Sequence, residues 1–302
     1  MTKESNAKQK PSVAVIGAGR LGRALAIALK SSDYTVVALV ARHRRKAEQA
    51  AALVGSRRSR PRALAATQLA ELPATDLILI TTPDDAIEPT AQRLSRMFSS
   101  ENRATVLHTS GALSSKALSS LRAVGFETGS IHPLVSISEP TAGAEALRGA
   151  FYCVEGTRKA KTMAASLVRD LGGSSFTIKP ENKALYHAAA VMASPHLTSL
   201  FDLATELLAA CGLSRRKSQQ VLAPLLESTV NNLKTSDTQA ALTGTFARGD
   251  VATVRRHLEA LSGKELAEAL EVYKLLGLHS LKLAEKNHLD PQLSDQIRKL
   301  LK

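Results

Sequence analysis

The feature that most constrains this chain is a strand–turn–helix run near its start. Val13-Ala14-Val15-Ile16 is apolar and β-like, Gly17-Ala18-Gly19-Arg20-Leu21-Gly22 follows as GxGxxG, and residues 23–29 read as a helix. In that setting each glycine has its own task. Gly17 permits a tight turn, Gly19 bares the backbone to a pyrophosphate, and Gly22 lets the helix pack closely on the strand. The free N–H groups and positive dipole end of the helix, beside Arg20 and Leu21, attract phosphate charge. The run predicts a dinucleotide-binding turn; a purely structural glycine turn is the alternative.

Residues 34–40 read as a second strand, and the position that carries an acid in NAD-selective sites is here Arg42. His43, Arg44, Arg45 and Lys46 follow, with no carboxylate before Glu48. An acid repels a 2′-phosphate, whereas a guanidinium binds it bidentately. NADP(H) is therefore expected over NAD(H), against the plainer reading of a solvated basic helix start.

The chain has 302 residues, room for two domains, and with 3% aromatics and no tryptophan its core must be aliphatic. Cys153 and Cys211 show no metal-ligand spacing, so no metal is expected, and a reducing cytoplasm fits them. No stretch has the length of a membrane span, and the polar first residues lack the apolar region of a secretion signal. Residues 1–10 are expected to be a disordered lead-in. The net charge of +13 raises the question of a nucleic-acid partner. Arg57, Arg58, Arg60 and Arg62 cluster, yet no stacking aromatics accompany the basic runs. Neither nucleic acid nor membrane is expected as a partner.

Strand-like runs at 13–16, 35–40, 77–81, 105–108, 129–132, 151–154 and 175–178 alternate with helical patterns. That alternation predicts an α/β fold, a doubly wound parallel sheet over 11–179. From 180 to 302 the pattern is helical throughout, with breaks expected at Cys211-Gly212, Thr243-Gly244 and Gly277. Long apolar faces in that segment predict a homodimer.

Ligands of such sheets collect at the carboxyl ends of strands, which picks out the candidate residues. Thr81, Thr82 and Pro83 follow the third expected strand and are expected to contact the cofactor; Asp84 or Asp85 as the N-cap of a helix over 86–97 is the alternative. His108 and Ser110 end the next strand, as a proton-transfer group and a ligand hydrogen-bonding group, or as parts of a capped turn. His132 precedes Pro133 at a further strand end, as a ligand group or a structural histidine. Lys183 and His187, four residues apart, share the face of a helix opening the second domain, where either could protonate a carbonyl oxygen. Thr243 and Arg248 flank a glycine-rich break, where Arg248 could hold an anionic substrate; the alternative is a tight turn with Asp250 capping the next helix.

The runs GAGRLG, HTSGAL, IHPL, KALYHAAAVMAS and ALTGTFARGDVATVRRHL appear in this order. Together they resemble the oxidoreductases that carry a Rossmann-like N-terminal domain and a C-terminal DUF 2520 domain. That group is similar to pyrroline-5-carboxylate reductase, 6-phosphogluconate dehydrogenase and the β-hydroxyacid dehydrogenases. The resemblance implies an NADP-linked enzyme, a helical domain like that of 6-phosphogluconate dehydrogenase that often builds a homodimer, and a small 2-keto acid of the ketopantoate kind as one candidate substrate. It also implies roles for Gly249, Asp250 and His257. Two departures stand out: Thr245-Phe246 where the family has proline and an aliphatic residue, and Pro195 where it commonly has asparagine. Pro195 is expected to kink its helix. The expected function is an NADP(H)-dependent reduction of a carbonyl or imine on a small acid; the alternative is a non-catalytic NADP(H)-binding sensor.

Overall fold

The computed structural model describes residues 10–56, 58–98 and 104–302. Of the lead-in expected at 1–10, residues 1–9 lie outside the described residues, as does Arg57. Lys10 is held in place: its ammonium donates to the Ser32 carbonyl at 2.7 Å and pairs with Asp170 at 3.4 Å.

Two compact units divide the chain, Met1–Pro195 and His196–Lys302. The first unit therefore runs past the boundary expected at Lys179. Its core is an eight-stranded sheet in the order β3-β2-β1-β4-β5-β6-β7-β8. The strands are β1 Ser12–Ile16, β2 Thr35–Ala41, β3 Arg62–Ala65, β4 Leu77–Ile80, β5 Thr105–His108, β6 Glu127–Pro133, β7 Phe151–Gly156 and β8 Ser174–Phe176. The α-helices of this unit are α1 Arg20–Ser31, α2 Arg44–Val54, α3 Asp84–Met97, α4 Ser119–Ala123, α5 Pro140–Ala146, α6 Arg158–Asp170 and α7 Lys183–Ala193.

Strands covered on both faces read as continuous apolar runs, and β1 and β4 are buried along VAVI and LILI. Alternate side chains feed two cores. Val13, Val15, Leu77 and Leu79 pack with Leu25 and Leu167 on one face, and Ile16, Ile78 and Ile80 with Ile87 and Leu94 on the other.

The sheet departs from the sequence reading in two places. Arg62-Ala63-Leu64-Ala65 forms β3 at the edge, a strand that its leading arginine and short length concealed. And β7 runs antiparallel to β6, while all other neighbours are parallel. The linking α5 packs back on α1, where Gly143 comes close to Ala24, so this connection returns the chain in reverse instead of crossing over.

The second unit is helical: α8 Pro195–Ala210, α9 Arg215–Thr235, α10 Thr238–Ala241, α11 Val251–Ala260, α12 Ala267–Lys286 and α13 Pro291–Leu301. The helical run breaks at Ser194, and Pro195 opens α8 as a proline in the first turn can. Val254, Leu281, Ile297 and Leu301 form a small core under Phe246 and Leu289. Gly277, expected to break a helix, lies inside α12 instead. A Cβ there would come within 2.8 Å of the Phe246 ring, so the glycine serves packing. Among the described residues, no helix is long and apolar enough to cross a membrane.

Candidate active site

The strand order turns around at β1 and β4, and both strands end at the glycine turn. Thr81 ties the two together: its N–H donates to the Ile16 carbonyl at 2.8 Å and its hydroxyl to the Gly17 carbonyl at 2.6 Å. Gly17 has φ +118°, and a Cβ there would meet the Thr81 backbone at 2.6 Å. A Cβ on Gly22 would sit 1.9 Å from the Gly17 carbonyl oxygen. Neither position admits a side chain. Gly19 differs, for nothing lies within 4 Å of where its Cβ would be. That space is open beside the first turn of α1, which no side chain caps and whose N–H groups therefore attract an anion.

A groove of about 510 Å³ opens here, lined by Gly17, Gly19, Arg42, Lys46, Thr82 and Arg93 among others. Glu48 is paired with Arg44 at 3.1 Å, and Arg93 donates to the Ala66 carbonyl at 2.9 Å. Arg42 and Lys46 are thus exposed cations of this groove. The Thr82 hydroxyl is buried and has no hydrogen-bond partner among the described residues, an arrangement proteins rarely leave without a ligand or water.

Thr81 and Thr82 also wall a second cleft of about 520 Å³, with Arg20, Leu21, Asp84, Ser110, Gly111, His132 and His187. The two clefts adjoin at Thr81 and Thr82, which line both. Asp84 lies in the first turn of α3, where no side-chain cap forms, and Pro83 takes the cap position. The Asp84 carboxylate instead accepts the Ser110 hydroxyl at 2.8 Å.

Sheet register assembles the inner half. His108 pairs with Ser130 across β5–β6, and Ser130 with Glu155 across β6–β7. One row further, His132 pairs with Cys153. Ser110 closes its own turn: its hydroxyl accepts the N–H groups of Ala112 and Leu113 at 3.1 and 2.9 Å. His108 spends both ring nitrogens inside the protein. Nδ1 accepts the Ser110 N–H at 3.2 Å and Nε2–H donates to the Ser114 carbonyl at 3.1 Å. Burial pushes its pKa down to about 4, so it is neutral and structural.

Lys183 is 1% exposed. Its ammonium donates to the Ser110 carbonyl at 3.1 Å and the Ser130 hydroxyl at 3.3 Å. Ser130 in turn donates to Glu155 at 3.2 Å, and Glu155 also accepts the Ser115 N–H and hydroxyl at 2.8 and 2.6 Å. Burial lowers the Lys183 pKa, and Cys153, Glu155 and Asp84 oppose that shift. Lys183 therefore braces the 108–115 loop from beneath. His187, one turn on, reaches the groove instead and lies 5.7 Å from the His132 ring, edge to face. Gly111 makes room for both: a Cβ there would lie 2.4 Å from His187 and 2.8 Å from His132 Nε2.

Sequence reading singled out Lys183, His187, His108 and His132 but missed Glu155 and Tyr186. Glu155 is a lone acid in a strand, and only the antiparallel register aims it at Ser130. Tyr186 lies beside His187 in KALYH, and its bond to His132 joins residues 54 apart. The groove's walls are first-unit residues throughout. Thr243 and Arg248 sit on an exposed turn of the second unit, where Asp250 caps α11 by accepting the Thr253 N–H at 3.0 Å. Among the described residues, no three His, Cys, Asp or Glu side chains are grouped to hold a metal.

No curated protein matches the sequence significantly. Solved structures share the fold. TM1727 from Thermotoga maritima is 22% identical, with a TM-score of 0.70 over 92% of this chain and 100% of that one. BF3122 from Bacteroides fragilis, described as an NADP oxidoreductase, is 21% identical, with a TM-score of 0.71 over 91% and 99% of the two chains. The pyrroline carboxylate reductase of Plasmodium falciparum, solved with NADP bound, is 13% identical, with a TM-score of 0.57 over 92% and 97%. Two family models match the sequence itself: a Rossmann-like domain over residues 2–133 and the domain of unknown function DUF2520 over residues 150–280. The two matches follow one another along most of the chain, which thus carries a Rossmann-like domain followed by a DUF2520 domain.

Proposed function

We propose that the protein is an NADP(H)-dependent oxidoreductase that reduces a carbonyl or imine on a small acid, a 2-keto acid of the ketopantoate kind being one candidate. The observation that carries this reading is the pair of clefts that share Thr81 and Thr82 as walls, one lined by Gly19 and Arg42 and the other by His132 and His187. The width at Gly19, the orphaned Thr82 hydroxyl and the exposed cations match a phosphate-bearing dinucleotide. Two proteins of the same fold, BF3122 and the Plasmodium reductase, bear NADP in their description or their structure.

Bound NADPH supplies a hydride; the rest is done by the chain. The first turn of α1 and bare Gly19 hold pyrophosphate charge. Arg42, helped by Lys46, holds the 2′-phosphate. The buried Thr82 hydroxyl would donate a hydrogen bond to a cofactor oxygen. Arg20, at the mouth of the inner cleft, meets the substrate carboxylate. His187 holds the proton that a developing alkoxide or amine needs, and Lys183 keeps the Ser110 loop in place beneath it.

The test is calorimetric titration with NADPH and NADH, followed by a screen of small keto acids and cyclic imines. NADPH is expected to bind at least ~10-fold tighter, about 1.4 kcal/mol, because the phosphate–guanidinium contact is charge-assisted. Equal affinities overturn the cofactor assignment. NADPH binding without turnover of any substrate favours the sensor.

We also propose a homodimer built by the helices after Lys179. Val221, Leu225 and Leu233 on α9 and Leu275 and Leu276 on α12 are exposed, Leu275 by 71%. Light scattering at micromolar concentration should give twice the monomer mass; a persistent monomer removes the dimer.

A further inference from the structure

One contact in the inner cleft is used neither by the groove nor by the Lys183 brace. Tyr186, on α7, places its hydroxyl 2.7 Å from His132 Nδ1. The other ring nitrogen, Nε2, faces Gly111 and the cleft. A phenol is a stronger donor than a neutral imidazole N–H, and an imidazole nitrogen a stronger acceptor than a phenol oxygen. The short contact is therefore an O–H···N bond from Tyr186 to Nδ1, which leaves the His132 proton on Nε2.

We infer that Tyr186 is a positioning residue that locks His132 in its neutral Nε2–H tautomer. His132 then serves the cleft as a standing hydrogen-bond donor to an acceptor oxygen or nitrogen of the substrate, not as an acid or base. This rests on the oxidoreductase reading for the identity of the ligand, though the tautomer does not. Every neighbour of the ring agrees with neutrality. Lys183 and His187 approach from α7 and His108 from β5, and an imidazolium would repel the lysine. Burial and these groups push the His132 pKa down to about 4. Cys153, in register on β7, keeps its thiol, since burial pushes its pKa up. Burial and then Cys153, which shares the same hydroxyl, also raise that of Tyr186, so the phenol keeps its proton. An imidazole nitrogen is a better acceptor than a thiol sulfur, so that proton goes to Nδ1 and the thiol is left to donate to the phenol oxygen.

The lock separates two roles that sequence left merged. His132 offers a fixed donor, and His187, 5.7 Å away, remains the group that exchanges a proton.

The experiment is long-range nitrogen–proton correlation NMR on protein labelled with 15N-histidine, with His132 assigned by its absence in His132→Gln. No ligand is added. The expected result is an unprotonated Nδ1 and a protonated Nε2 from pH 6 to pH 9. In Tyr186→Phe the ring should turn to a mixture of tautomers, while burial and Lys183, which the substitution leaves in place, keep it neutral. A proton on Nδ1, or an imidazolium at pH 7, in the unaltered protein overturns the inference. An unchanged tautomer in Tyr186→Phe overturns the role of Tyr186. If that variant does not fold, the spectrum of the unaltered protein decides alone. Because the readout needs neither NADPH nor turnover, its failure is distinguishable from failure of the oxidoreductase reading.

Discussion

Around Gly19 and Arg42 the groove offers groups with no work inside the protein, whereas around Ser110 almost every polar atom is already engaged by another. Arg42 is exposed, the start of α1 carries no side-chain cap, and the Thr82 hydroxyl has no partner among the described residues. By contrast His108, Ser110, Ser130, Glu155 and Lys183 form one hydrogen-bonded network beneath the inner cleft. The outer half is a surface waiting for charge. The inner half is a frame, from which His132 and His187 reach the cleft. The same substitution class should therefore read out as stability in one half and as binding in the other.

The largest effect belongs to the frame. Lys183→Met removes a buried ammonium whose neighbours keep their charge and lone pairs. It should cost about 4 kcal/mol of stability, the scale for breaking a buried ionic network from one side. Denaturant unfolding measures it. If Lys183→Met is as stable as the unaltered protein, the network is not a frame and the contrast fails.

Acid should act on the same half. His108 and His132 titrate at about 4 when folded, against about 6.5 when unfolded. Both states hold them neutral above pH 7, so their stability contribution is complete there. As pH falls below 6.5 the unfolded chain takes up protons that the native one refuses, and stability is lost toward pH 4. The loss should approach about 3 kcal/mol per histidine at pH 4. His132→Gln should lose its share of this acid dependence; if its curve parallels the unaltered protein, His132 is not buried neutral.

His187→Ala tests the border between the halves. Turnover should drop about 100-fold, the usual scale for a general acid, with NADPH affinity unchanged. Full turnover would move the proton donor elsewhere in the cleft.

The smallest effect lies outside. Arg42→Ala should erase the ~10-fold preference for NADPH over NADH and change stability by less than about 0.5 kcal/mol, as exposed side chains do. A stability loss as large as that of Lys183→Met would dissolve the distinction between the halves.

Local chemistry is legible in the residues themselves. The strand, the three glycines and the helix lie within twenty residues, and steric rules alone assign them: Gly17 and Gly22 have no space for a Cβ, and Gly19 has nothing but space. Apolar runs such as LILI declare strands buried on both faces, and alternation with helices declares the layered α/β plan. What sequence lacks is direction and register. Nothing in Phe151–Gly156 says that it runs against β6, yet that reversal sets Glu155 beside Ser130 and Cys153 beside His132. Helical spacing puts Lys183 and His187 on one face, but only packing decides that Lys183 is buried under the Ser110 loop while His187 reaches the groove. Short-range rules come from the backbone of a few residues and are written in their identities. Pairing across a sheet and burial under a loop depend on contacts between residues far apart in the chain, whose partners no local pattern names.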